Sequence, residues 1–172
     1  TTIIFIEWLN PSNINRTLFR SVEQWGNSAW TNLSGAFQNV TNLTFNATDV
    51  PNLSQTTVTS VMFWDATNFN SDISNWDMSN VSDAWGMFRG ASSFNQPLNS
   101  WNVSSGQEFA EMFHNAASFN QPLNSWDVSQ ALYMDDMFRG SNLSEENYSD
   151  ILINWAALPS LQNNVTLGAQ NT

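Results

Sequence analysis

The chain has 172 residues and a formal net charge of −11, from 15 acidic residues against four arginines and no lysine, with no cysteine and one histidine. That balance excludes recognition of a phosphate backbone, which needs clustered cations, and disfavours an anionic membrane surface. Without cysteine there are no disulfides, thiolate metal sites or cysteine nucleophiles, while 41% hydrophobic residues, among them nine Trp and 12 Phe, suffice for a substantial core.

From the N-terminus, Thr2–Leu9 (TIIFIEWL) reads as a strand, and residues 1–17 as an N-terminal cap. Residues 18–142 read as a repeat array. Met-Phe recurs at 62–63, 87–88, 112–113 and 137–138, and Trp76, Trp101 and Trp126 keep the same 25-residue period, as do Phe69, Phe94 and Phe119. The nine residues Ser93–Trp101 (SFNQPLNSW) return unchanged as Ser118–Trp126. Fainter copies precede these. Leu18, Val22 and Trp25 share the spacing of Phe94, Leu98 and Trp101, and Val50-Pro51 stands where later units carry Trp.

Within one unit, Leu98-x-x-Trp101-x-Val103 has the spacing that ends in a short alternating strand. Asn80–Phe88 then reads as a capped helical turn with Ala84, Met87 and Phe88 on one face, closed by Gly90 in the left-handed region. These halves predict an α/β fold: a leucine-rich-repeat-like solenoid of about five 25-residue coils. Each coil would hold one short strand and one short helix, stacked at about 4.8 Å, with terminal caps. Residues 143–172 read as a C-terminal helical cap and tail, all within one structural domain. Ser144 caps that helix, Glu145 and Glu146 fill its first turn, Tyr148, Ile151, Leu152 and Trp155 form its apolar face, and Pro159 comes after its end.

The repeated words MFRGASSFNQPLNSWNVS at 87–104 and MFHNAASFNQPLNSWDVS at 112–129 resemble the BspA-type leucine-rich-repeat surface proteins, whose 25-residue units also occur in mycoplasma lipoproteins. The stretch 142–172 resembles the closing segment of such arrays in Bacteroidetes, and Ser21–Gly26 their opening segment. The resemblance implies secreted or cell-surface adhesins without catalytic residues. At Ser105–Glu108 (SGQE) the chain departs from the family's usual Asn-Val-Thr-Asp.

Outward strand positions would form polar ladders: Asn75, Ser100 and Ser125 before the repeated Trp, and Asp77, Asn102 and Asp127 after it. Three readings stand side by side. The ladders satisfy their own turns, they grip a glycan or protein, or they hold Ca²⁺, for which no D-x-D-x-D-G loop speaks. Trp64 and Trp85 break the repeat, since other units carry Arg, His, Ala or Asp there. If they face solvent they are candidate contact aromatics; otherwise they pack against a neighbouring unit. The carboxylate pairs Asp135-Asp136, Glu145-Glu146 and Glu108/Glu111 fall at helix starts or solvent-facing turns, and His114 takes the slot of Arg89 and Arg139. No catalytic, cofactor or metal set is therefore assigned.

Eleven Asn-x-Ser/Thr sequons fit either a glycosylated secreted protein or a by-product of an Asn- and Ser-rich repeat. The expected protein is extracellular, with its export signal outside this chain, and it is not an enzyme. It would be an adhesion or recognition module for an extracellular protein or polysaccharide. The alternative is a structural subunit or spacer of a filament or coat, contacting other surface proteins including itself. Neither nucleic acid nor direct membrane insertion is expected.

Overall fold

A computed structural model describes residues 19–168; the expected strand Thr2–Leu9, the cap at 1–17, Leu18 and the last four residues lie outside the described residues. Five times along the chain, two residues four apart take positive φ: Gly35 and Asn39, Val61 and Asp65, Gly86 and Gly90, Glu111 and Asn115, Asp136 and Gly140. Each pair sits in a run of overlapping turns. In the third run, Met87 N donates to Ala84 O, Arg89 N to Gly86 O and Ala91 N to Phe88 O, at 3.0–3.2 Å. The first and third of these turns carry a left-handed residue at their third position, the conformation that favours Gly, Asn and Asp.

The alternate N–H groups point along the array. Ala84, Gly86, Phe88 and Gly90 donate to the carbonyls of Glu108, Ala110, Met112 and His114, at 2.8–2.9 Å. The same set recurs from Thr59 to Asp65 and from Phe109 to Asn115. Neighbouring repeats are thus joined amide by amide, and parallel bridges Val58–Asp83, Asp83–Glu108 and Glu108–Tyr133 start each run.

This overturns the predicted α/β coil. Among the described residues there is one α-helix and one two-stranded parallel sheet, β1 (Ser21–Val22) beside β2 (Thr44–Phe45), with no succession of strand-plus-helix coils. The expected helical turn at 80–88 fails because the N–H groups of Ala84, Gly86 and Phe88 bond to the next repeat, and those of Ser82 and Asp83 to the preceding one, instead of to residue i−4, and because Gly86 takes φ +56°. The expected strand at 98–103 fails for a related reason. Leu98 O accepts Trp101 N at 3.0 Å and Trp126 Nε1 at 2.9 Å, closing a turn instead of a ladder. Asn102 Oδ1 then accepts Ser104 N, bending the chain again.

What the repeat does build is a core of stacked rings. Phe37, Phe63, Phe88, Phe113 and Phe138 form one file, with centroids 5.3–5.8 Å apart and planes within 12° of parallel. Phe69, Phe94 and Phe119 form a second, and each leans on the first at 3.9–4.2 Å. These rings are fully buried. Offset-stacked pairs add about 0.5–1.5 kcal/mol each beyond the area they bury.

Helix α1 (Glu145–Ala156) closes the far end. Ser144 Oγ accepts Asn147 N, and Glu145 and Glu146 lie in the first turn, where carboxylates favour the helix dipole. Ile151 and Trp155 are buried, Tyr148 is half-buried and Leu152 stays exposed. Trp155 takes over the role of a repeat Trp. Its Nε1 donates to Leu123 O at 3.0 Å, as Trp101 Nε1 does to Ile73 O and Trp126 Nε1 to Leu98 O. Beyond α1, Leu167 bridges Met134, and Gly168 O accepts Phe138 N.

Candidate functional site

Two surfaces carry the residues singled out from the sequence. The first is the polar face. Asn75, Asp77, Ser100, Asn102, Ser125 and Asp127 lie there, all six exposed. Four of the six use a side-chain oxygen to hold a turn or the preceding repeat. Asp77, Asn102 and Asp127 each accept the N–H two residues ahead, from Ser79, Ser104 and Ser129, at 3.0–3.2 Å. Ser129 and Ser79, hydroxyl first and then N–H, hold the Asp127 and Asp77 carboxyls below their ordinary range. Ser100 Oγ donates to Ser74 O, and Ser125 N to Asn99 Oδ1. Among the described residues no three His, Asp or Glu side chains converge as metal ligands would.

The second surface is the outer ridge of the turn runs, where the sixth residue of each run places Trp64, Arg89, His114 and Arg139 in line. The chain has two other arginines, at 16 and 20, so every cationic side chain from residue 21 onward lies on this one ridge. The Arg89 guanidinium lies over the Trp64 indole, 4.5 Å from its centroid, and pairs with Glu111. Glu111 Oε2 is also 3.4 Å from His114 Nδ1, and Arg139 pairs with Asp136 at 3.4 Å. Burial first, and then the Arg89 charge, push His114 below its ordinary pKa.

The two repeat-breaking tryptophans part ways. Trp64 is half-buried: Arg89 covers its ring, Asp65 accepts its Nε1–H at 3.1 Å, and Gly86 leaves it space on the other side. Trp85 meets Trp64 edge-to-face at 5.6 Å yet stays 37% exposed, a large indole presented at the surface. The backbone N–H of Trp85 donates to Asp83 Oδ1 at 3.0 Å. Beside it, Glu108 sits between Asp83 and Asp135, and burial together with those two charges raises its pKa against the opposing Ala110 N–H. Sequence reading missed this electrostatic link, although Arg, His and Arg at a strict 25-residue interval had marked the column.

The carboxylate pairs divide between the turn runs and the first turn of α1. Asp135 is exposed, Glu111 is tied to Arg89, and Glu145 and Glu146 are exposed on the first turn of α1. Among the sequon asparagines, Asn147 is half-buried and donates its side-chain amide to Asn120 Oδ1 at 2.8 Å. Asn15 lies outside the described residues.

A separate apolar groove of about 200 Å³ opens at the far end between α1 and the last repeat, lined by Val128, Met134, Leu152, Trp155, Leu161 and Val165 among others. Among the described residues no helix is long and apolar enough to cross a membrane.

No curated protein and no solved structure matches the chain. A family model does, over residues 18–151, which takes in the turn runs, the ring files and the Trp85 ridge. The chain belongs to the family described as Mycoplasma protein of unknown function, DUF285.

Proposed function

We propose that this chain is a non-catalytic recognition module of the extracellular surface, binding a protein or glycan through the outer ridge around Trp85. The observation that carries the reading is Trp85 itself. An indole that is 37% exposed and braced edge-to-face by Trp64 offers a large contact area, and Trp is among the residues most enriched at binding hot spots. The resemblance of residues 87–104 and 112–129 to BspA-type surface proteins supports an exported adhesin, needing neither cofactor nor metal. The polar face at 75–127 serves mainly to hold its own turns.

A second reading, a structural subunit that associates with itself, is favoured by the apolar groove at the α1 end and by Leu132, Tyr133, Leu152 and Ile153, all at least 41% exposed nearby. The test for both is retention of the purified chain on immobilised extracellular-matrix proteins, polysaccharides and the chain itself. A saturable foreign ligand that Trp85→Ala no longer retains supports recognition. Retention on itself alone, lost in Ile153→Asp, moves the assignment to the structural reading. Foreign binding that ignores Trp85 refutes the ridge as the surface.

A further inference from the structure

The ridge column that contains Trp85 runs Ser60, Trp85, Ala110, Asp135. Their registration is fixed by backbone bonds from Val61 N to Trp85 O, Gly86 N to Ala110 O and Glu111 N to Asp135 O, at 2.8–2.9 Å. A large flat ring is thus followed by a methyl group and then by a carboxylate. Ala110, half-buried, carries the smallest side chain of the three, so the column dips between the ring and the carboxylate and forms a shallow notch there. Two repeat steps, each 5.5–5.8 Å between ring centroids from Phe88 to Phe138, separate its two walls. Glu108 borders the notch, bridged to Asp83 on one side and Tyr133 on the other.

The charge of this notch selects its ligand. Three carboxylates lie along this column and its neighbour, with Asp83 two residues before Trp85, Glu108 bridged to Asp83 and Asp135 two repeats on, in a chain of net charge −11 that has no lysine, so an anion is repelled and a cation is drawn in. An indole face is itself electron-rich and attracts cations. The protein already shows the arrangement one column away, where the Arg89 guanidinium lies over Trp64 and pairs with Glu111. Trp85 has no such cation among the described ring contacts, and its ring is the exposed one. A guanidinium is planar and weakly hydrated, and it stacks on an indole while its edge binds carboxylates.

We infer that the Trp85–Ala110–Asp135 notch is a docking site for an arginine side chain of a partner protein, stacked on Trp85 and paired with Glu108 and Asp135. The inference rests on the recognition reading above and narrows its partner to a protein with an exposed basic segment. An occupant of this kind completes in trans the contact that Arg89 makes in cis.

The probes are a labelled (Arg-Gly)4 peptide, its lysine and glutamate counterparts, and a panel of neutral oligosaccharides, each titrated into the chain with indole fluorescence as readout. The expected result is saturable binding of the arginine peptide, weaker binding of the lysine peptide and none of the glutamate peptide. Trp85→Ala should weaken arginine-peptide binding by about fivefold or more, Trp85→Phe by less, and Asp135→Asn should flatten its salt dependence. Ala110→Trp, which fills the notch, should abolish it. The idea is overturned if Trp85→Ala binds the arginine peptide as well as the unmodified chain, if neutral oligosaccharides alone bind through Trp85, or if no probe binds. Circular dichroism of each variant separates lost binding from lost fold. Matrix-protein retention that depends on Trp85 but not on basic peptides would keep the recognition reading and remove this inference.

Discussion

Phe88 and Phe138 occupy the same place in separate copies of the repeat and are equally buried, at 0% and 1% exposure, yet their ring surroundings differ. Phe88 touches four rings: Phe63 at 5.3 Å, Phe94 at 4.2 Å, Trp101 at 6.3 Å and Phe113 at 5.5 Å. Phe138 touches Phe113 at 5.8 Å and Trp155 at 6.5 Å among the described residues. Substituting each by Leu exchanges the same groups, so the burial term cancels between them and the two extra ring pairs remain. At about 0.5–1.5 kcal/mol per pair, Phe88→Leu should cost about 1–3 kcal/mol more than Phe138→Leu. Urea unfolding followed by circular dichroism measures the difference, with the denaturant slope required to stay constant so that both variants report the same transition. Equal losses, or a larger loss at Phe138, would refute ring stacking as a main source of cohesion along the array.

Other outcomes follow from the turns and charges. Gly26→Ala, at φ +74° with open space around it, should cost only the left-handed penalty of about 1–2 kcal/mol. Gly90→Ala should cost distinctly more in the same melts, because its new Cβ would collide with Asp65 Oδ1 as well. Asn95→Ala removes the acceptor that Asn120 N and Gln121 Nε2 share at 2.9 and 3.0 Å, and thermal unfolding should show a loss of about 1–3 kcal/mol. His114, whose pKa is lowered in the fold, binds its proton more readily when unfolded. Its contribution is therefore complete above the unfolded pKa and lost as pH falls toward the folded one. His114→Gln should flatten the decline in stability on mild acidification, which urea midpoints between neutral pH and about pH 5 would reveal. Glu108 acts oppositely: its raised pKa makes stability fall as pH rises through it.

The 25-residue period told in advance which residues share a file. Phe69, Phe94 and Phe119, and Trp101 with Trp126, stack as their spacing implied. The local conformation was not legible in the same way. Ala84, Met87 and Phe88 are buried together, as a helical face would bury them, but overlapping turns achieve the same burial with a different backbone. Periodicity reports which side of the chain is apolar, and two backbones of similar pitch satisfy it. The glycines at 86, 90 and 140 and the asparagines at 39 and 115 were the visible sign of left-handed turns. Val61 and Glu111 hide that sign, since each takes φ above +50° without the residue type that favours it. The helix at 145–156 was plain from its cap and first-turn acids, because those act within a few residues. Trp85 stood out as a break in the repeat, but whether Trp64 or Trp85 met solvent depended on Gly86 and Arg89 in the neighbouring repeat.

The most direct test of the ridge as recognition surface compares three proteins on the same immobilised matrix proteins and polysaccharides by surface plasmon resonance: the unmodified chain, Trp85→Ala, and a polar-face variant. The last combines Asn75→Ala, Ser125→Ala, Asp77→Asn and Asp127→Asn, which leaves a turn-forming oxygen at 77 and 127. The ridge predicts that Trp85→Ala loses the ligand while the polar-face variant keeps it. Loss in the polar-face variant with full binding by Trp85→Ala would contradict the account.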